Sequence, residues 1–467
     1  MQLPVLSGIF SDSASDFRTS YPRNLVPVPK NTGISEGYLR PADGIVQLST
    51  GNPGIDRGGI NWNGACYRVM GTKLVRVDAA GATTTLGDVG GSGQVTFDYS
   101  FDRLAIASSG KLYLWNGTTL QQVTDTDLGT VVDMLWIDGY FMTTDGTSLV
   151  VTDLDNPFAV NPLKYGSSEI DPDPVKALLK VRNEVNALNR YTIEIFDNIG
   201  GDFFPFQRIE GAQIMRGTVG TFTCAVLTEN IVFMGGGRNE SIAIWMAANG
   251  GTSKLSTKEI DQILAGYSES TLSQALLETR VSDGHQWLYI HLPDQTLVYD
   301  AYATQLLGSP VWFTLTTSII GNSQYRARNF VYCYDRWIVG DPQTTSLGYF
   351  SDEVSSHWGQ VNGWDFGTTI AYNGSRGAVF HELELICLTG RAKVGDDPTV
   401  WAQYSLDGMV WSQERSVKAG KTGERNKRLL WLRQGFMRNW RIQRFRGTSD
   451  AHLSIARLEA QISPLGA

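Results

Sequence analysis

The chain has 467 residues, 42% hydrophobic, 11% aromatic and only 18% charged, with no apolar run of the ~18 residues that suggests a membrane helix. That apolar content excludes a disordered chain, and the scarcity of charge suggests a surface largely covered by partners. The net charge of −8 divides unevenly: residues 391–467 hold 14 Lys and Arg against 7 Asp and Glu, a net of +7, which leaves −15 on residues 1–390.

Such asymmetry points to two parts with different neighbours, and an acidic body argues against general nucleic-acid binding. The 50 glycines are scattered in pairs with Asn, Asp, Thr or Gly, which marks tight turns rather than a fibre. Cys66, Cys224, Cys333 and Cys387 lie far apart with no CxxC pair, and the first three sit in apolar alternating runs. A reduced, intracellular assembly site suits them better than a disulfide framework. The first residues lack the basic region and apolar stretch of a cleavable leader.

Residues 1 to about 45 form the first predicted segment, extended and irregular, since Pro4, Pro22, Pro27, Pro29 and Pro41 forbid a long helix. A loose repeat follows over 46–358. Each unit has an alternating strand, a turn with Gly, Asp or Asn, and a second alternating strand: residues 66–77, 104–115, 140–153, 185–197, 231–245, 287–300 and 337–350. Asn116-Gly117 and Asp145-Gly146 are strong hairpin-type corners. The second-strand anchors Leu74, Leu112, Leu149, Ile193, Ile242, Leu297 and Leu347 are 37 to 55 residues apart. Several strands at such spacing predict a β-propeller of six or seven blades; a stack of unrelated meanders is the alternative.

Residues 256–280 break the pattern. Ile260, Ile263 and Leu264 share a helical face, Ser256 and Glu259 form a capping box, and a second short helix is predicted over 270–279. From about 359 the blade pattern stops. Alternating runs at 380–388, 400–404 and 440–445, with a corner at Asp407-Gly408, predict a basic C-terminal β-sandwich over 359–467.

No catalytic, cofactor or metal constellation emerges. His285, His291, His357, His381 and His452 are the five histidines. His381-Glu382 lacks the second histidine that a zinc helix needs, and His291 lies in an apolar strand. There is no Gly-x-Ser-x-Gly elbow, and the glycines at 87–93 and 235–237 lack a P-loop lysine. Asp125 with Asp127, Asp153 with Asp155, and Asp171 with Asp173 read as turn residues, since none has a calcium loop's terminal Glu. A glycosidase needs only a carboxylate pair across a cleft, so a polysaccharide-binding or -degrading propeller stays as the alternative function.

The most distinctive cluster is Arg425, Lys427, Arg428, Arg433 and Arg438, continuing to Arg441, Arg444 and Arg446 and interleaved with Trp431, Phe436, Trp440 and Phe445. Arginine among aromatics suits single-stranded nucleic acid and protein interfaces. It equally suits strands whose charges face solvent while the rings enter a core. The first five residues are the candidate partner interface.

Motifs spread along the chain resemble one known family. They are Gly37, Tyr38, Leu39 and Arg40 with Gly44-Ile45; Tyr67, Arg68 and Val69 with Gly71 and Lys73-Leu74; residues 87–93; and Thr152, Asp153, Leu154 and Asp155. Glu259-Ile260, Ile263-Leu264 and Tyr267 come next, then residues 290–293, 297–301 and Arg428, Leu429, Leu430 and Trp431. Their collinear order is similar to that of the packaged-DNA stabilisation proteins of short-tailed bacteriophages, which act as hexameric tail hubs. The resemblance implies a non-enzymatic virion protein, assembled in the host cytoplasm, that forms a ring below the portal and its adaptor ring. It further implies that the ring holds tailspikes and the tail needle, and that genomic DNA passes through without sequence-specific binding or membrane insertion.

Overall fold

The computed structural model describes residues 2–3, 9–14, 16–30, 37–201, 203–248, 250–368, 370–374 and 376–465. Seven consecutive antiparallel sheets follow one another along residues 56–351. Blade 1 runs from Asp56–Trp62 to Thr83–Asp88, blade 2 from Thr96–Tyr99 to Leu120–Gln122, and blade 3 from Asp133–Ile137 to Val160–Ser167. Blade 4 runs from Val175–Val181 to Phe206–Arg208, and blade 6 from Leu276–Ser282 to Val311–Leu315. In blade 5 the first strand is split into Gly217–Thr218 and Cys224–Leu227, and the last is Gly251–Lys254. Blade 7 takes Arg328–Cys333, Arg336–Gly340 and Leu347–Ser351 from its own stretch, but its outer strand is Gly44–Ser49, paired Phe350 to Ile45 and Tyr349 to Val46.

Each of the seven expected hairpins is the middle pair of one blade. Their corners explain the turn chemistry. Asp145 Oδ1 accepts the N–H groups of Thr147 and Ser148 at 2.8 and 2.7 Å, while Gly146 takes φ 95°, a conformation that favours glycine. The anchors are core residues: all are fully buried except Ile242, which is half-buried just ahead of its strand. Fully burying one such side chain is worth about 1.5–3 kcal/mol.

Ring closure follows from how the apolar side chains divide. Residues of blades 1 and 2 form one core, and separate cores join 2 to 3, 3 to 4, 4 to 5, 5 to 6 and 6 to 7. A last core, with Cys66, Met70 and Val75 against Val331, Cys333 and Ile338, joins blade 7 to blade 1. Middle strands such as Ala65–Met70 and Tyr140–Thr144 are therefore buried on both faces, whereas the outer strand Val160–Ser167 exposes much of its length. All four cysteines are free thiols, and burial pushes that of Cys66 up to about 11.

The insertion after blade 5 is shorter than its sequence pattern. Helix α1 spans Lys258–Ala265, capped by Thr257 rather than Ser256; the Ser256 hydroxyl instead donates to Asp261. Helix α2 is only Glu269–Leu272, and the stretch expected to continue it becomes Leu276–Ser282, the inner strand of blade 6. Ile260, Leu264 and Leu272 enter the core between blades 5 and 6, so tertiary packing overrides the local helical pattern. Helix α3, Ala301–Leu307, joins the last two strands of blade 6 and was not expected.

The C-terminal region forms two facing sheets. One contains Ala378–Leu388, Ser454–Pro464 and Leu429–Leu432; the other contains Gly363–Gly367, Trp440–Thr448, Thr399–Ser405 and Arg415–Lys418. Trp364, Phe366, Phe380, Trp431 and Phe445 fill the space between them. The first sheet is extended by strands Leu25–Pro29 and Gly37–Pro41, whose Leu25 and Leu39 enter the same core. Leu25–Pro29 is an edge strand, which tolerates the donor-less Pro27 and Pro29. The strands Leu25–Pro29, Gly37–Pro41 and Gly44–Ser49, in a stretch read from sequence as irregular up to about 45, thus serve first the sandwich and then blade 7.

Candidate partner-binding surfaces

The seam between propeller and sandwich is held by residues 22–24. Asn24 N–H donates to Thr314 O of blade 6 at 2.8 Å, and Arg23 N–H to Asp365 O of the sandwich at 2.9 Å. The Arg23 side chain donates from Nε to Asp365 Oδ2 at 2.8 Å and from Nη1 to Gly321 O at 2.8 Å. Asn24 Nδ2 bridges Thr316 O and Gly363 O at 3.0 and 2.7 Å. A second pin is Asp43, between the strands Gly37–Pro41 and Gly44–Ser49, paired to Arg40 and to Arg280 of blade 6 at 2.7 Å each. Burial opposes its ionisation, but Arg280 and Arg40 outweigh that and hold its carboxyl below the usual carboxylate range. Sequence reasoning missed both pins; the alternation of Leu25, Val26, Pro27, Val28 and Pro29 was the available signal.

The structure divides the arginine-rich stretch into core and surface. Arg441 is buried with Phe380 and Tyr404 ring centroids 4.3 and 3.8 Å away, and it donates to Gln434 O and Gln443 Oε1. Burial pushes its guanidinium down to about 10. Arg444 pairs with Asp365 at 3.3 Å, and Arg446 pairs with Glu414 over the Trp401 ring. Trp431 and Phe445 lie in the core. Alternation, with rings inward, accounts for these residues.

The five candidate interface residues are all exposed, but they do not form one patch. Arg428 is engaged bidentately by Glu384 at 2.6 Å, a hydrogen bond that holds the Glu384 carboxyl low. Arg425 and Lys427 stand in the loop beside Gly390, whereas Arg433 N–H donates to His381 O at the other end of the strand Ala378–Leu388. The strand runs seven extended steps from His381 to Leu388, or roughly 23 Å, before reaching that loop. Arg433 and Arg438 flank Phe436 and adjoin Leu432, which are 47% and 53% exposed, and among the described residues neither arginine has an ion-pair partner. Exposed rings beside unpaired arginines have the composition of interface anchors.

The five histidines and four of the six aspartates singled out by sequence have structural partners. His285 Nδ1 lies 2.5 Å from Asp300 Oδ2, and His291 bridges Thr296 and Glu278 at 3.0 and 3.2 Å. His357 bonds Thr317, and burial pushes its pKa down to about 3. His381 and His452 meet Ser463 and Ser355. Asp125 accepts from Asp127 and Val160 N–H groups, Asp153 pairs with Lys164, Asp171 with Arg238, and Asp173 accepts from Tyr191 N–H. A cleft of about 590 Å³ between blades 6 and 7 gathers Asp43, Asp283, Asp335 and Asp352 with Arg280 and Arg336. Among the described residues no group of three His, Cys, Asp or Glu is placed to hold a metal, and no helix is long and apolar enough to cross a membrane.

A closed seven-bladed ring fused along its rim to a sandwich defines an all-β protein of the propeller-plus-sandwich class. The chain belongs to the bacteriophage P22 Gp10 family: residues 1–355 match the profile of its β-propeller and residues 363–463 that of its β-sandwich. It is 27% identical over 461 residues to the tail hub protein gp10 of Salmonella phage P22, covering 94% of each chain. Among solved structures, the WD40 domain of Neurospora crassa Pan2 aligns over 66% of this chain and 95% of its own, at 12% identity and TM-score 0.43. The N-terminal domain of Nup159 aligns over 72% of this chain and 99% of its own, at 9% identity and TM-score 0.42.

Proposed function

We propose that this chain is a tail hub of a short-tailed phage, a virion component that acts by binding and without catalysis. The observation that carries the reading is the full-length match to the P22 hub, through both propeller and sandwich. In this reading the body, residues 46–358, and the basic sandwich, residues 359–467, are two units tied by the N-terminal segment 1–45. Six copies form a ring below the portal and its adaptor, close the head over packaged DNA, and hold tailspikes and tail needle. The −15 charge of the first 390 residues supports a DNA path that repels rather than binds the duplex. Arg433 and Arg438, which have no ion-pair partner among the described residues, supply a docking edge beside Phe436.

The test is addition of the purified chain to DNA-filled heads that carry portal and adaptor but lack a hub. Retained DNA and a stoichiometric bound ring support the proposal; heads that leak DNA and bind no chain refute it. The acidic cleft between blades 6 and 7 is where a polysaccharide-cleaving alternative would act, and release of reducing sugar from host surface polysaccharide would favour that reading instead.

A further inference from the structure

The inner strands of adjacent blades, from blade 1 round to blade 7 and back to blade 1, contact each other about a central axis. On the face that carries the turn Gly71-Thr72, a cavity of about 610 Å³ is lined by residues of blade 1, the loop to blade 2, and blades or blade entries 5, 6 and 7. Blades 1 and 5 are not neighbours in the ring, so residues from both can meet only at the axis.

This axial mouth holds two arginines without matching carboxylates. Arg57 is 5% exposed and donates to Gly93 O and Gly90 O at 2.6 Å and to Gly71 O and the Ser108 hydroxyl at 2.8 Å, all neutral. Arg328 keeps a buried Nε with no hydrogen-bond partner. Neither makes an ion pair among the described residues. The nearby acids are already engaged. Asp56 accepts Arg68 Nε and Nη2 at 2.8 and 2.7 Å and Asn329 Nδ2 at 2.6 Å. Glu278 accepts Asn329 N–H at 2.6 Å and faces His291 Nε2 at 3.2 Å. Burial pushes both guanidiniums down, opposed at Arg328 only by Glu278. Arg57, buried with neutral partners, retains an unmet demand for negative charge, and the half-buried Arg328 has no acceptor at its Nε.

We propose that the axial mouth of the propeller binds a phosphate-type oxyanion, with Arg328 as its direct donor and Arg57 as the fixed charge beneath the glycine loop at 90–93. The planar guanidinium fork suits a tetrahedral oxyanion, while Gln274 lines the same cavity with an amide that can donate. This site does not depend on the tail-hub reading.

The experiment is calorimetric titration of the full chain with inorganic phosphate in chloride buffer, with pyrophosphate and succinate as parallel arms. Saturable one-site phosphate binding is expected, tighter for pyrophosphate and weaker for succinate. Arg328→Gln should weaken it at least tenfold and Arg328→Lys by less, while Arg76→Gln, at an exposed strand position of blade 1, leaves it unchanged. Should Arg328→Gln not fold, Arg328→Lys carries the comparison. Absence of saturable phosphate binding, tighter binding of succinate, or an affinity unaltered in the folded Arg328 variant would overturn the proposal.

Discussion

Arg23 and Asp365 meet across the seam between propeller and sandwich, Nε 2.8 Å from Oδ2, with side chains only 8% and 10% exposed. One residue stands near the start of the chain and the other in the first strand of the sandwich, so a short N-terminal stretch decides how the two bodies are joined. Asp365 also faces Arg444 at 3.3 Å. Replacing Asp365 by Ala leaves two cations there without their carboxylate. The expected loss is about 3–5 kcal/mol, read as a lower midpoint in urea denaturation; a loss below about 1 kcal/mol would mean the pair is only a surface contact.

The N-terminal strands make a second prediction. Leu39 is fully buried in the sandwich core and Ile45 is 1% exposed in the core between blades 6 and 7, although only five residues separate them. Leu39→Ala and Ile45→Ala should each cost about 2–5 kcal/mol, measured by the same denaturation. A segment merely draped over the surface would show neither loss.

Asp133 predicts a pH dependence. It stands on the inner strand of blade 3 and accepts the Thr96 hydroxyl of blade 2 at 2.7 Å and Leu178 N–H of blade 4 at 2.8 Å. Burial, partly countered by those bonds, raises its carboxyl from 3.8 to about 6. The folded state therefore holds this proton more tightly than the unfolded chain. Its stabilising contribution is full below pH ~4 and is lost as pH rises through about 6, a change of about 3 kcal/mol. Asp133→Asn keeps an acceptor for Leu178 and removes the titration. The difference in unfolding free energy between variant and parent should grow in the variant's favour from pH 4 to 7; a constant difference would contradict the assignment.

The exposed arginines give a prediction on assembly. Arg433→Glu with Arg438→Glu should leave the thermal midpoint within about 1 °C, since surface charges contribute little to stability, and should block incorporation into particles. Arg441→Glu, by contrast, should unfold the sandwich, because Arg441 is buried between Phe380 and Tyr404. Normal assembly of the double variant would return Arg433 and Arg438 to plain surface.

The blade hairpins were legible because each middle strand pair carries its signal locally, in alternation and an anchoring Leu or Ile, with an Asp-Gly corner at Asp145-Gly146 in blade 3. The outer strand of blade 7 was not, because Gly44–Ser49 pairs with residues about 300 positions away in sequence. The same non-local pairing hid Leu25–Pro29 and Gly37–Pro41, whose prolines resemble irregular chain unless the edge position is known. Leu276–Ser282 carried a helical pattern that the blade's ladder overrode. For the candidate surfaces, sequence identified the arginines but could not separate Arg441, held between rings, from the exposed Arg433 and Arg438.

The proposed hub ring at the phage vertex would be visible in an electron cryomicroscopy map of assembled particles. Six copies of one propeller-plus-sandwich body are expected directly below the portal and adaptor density. A vertex whose ring density fits no such body, or particles complete without this chain, would contradict the proposal.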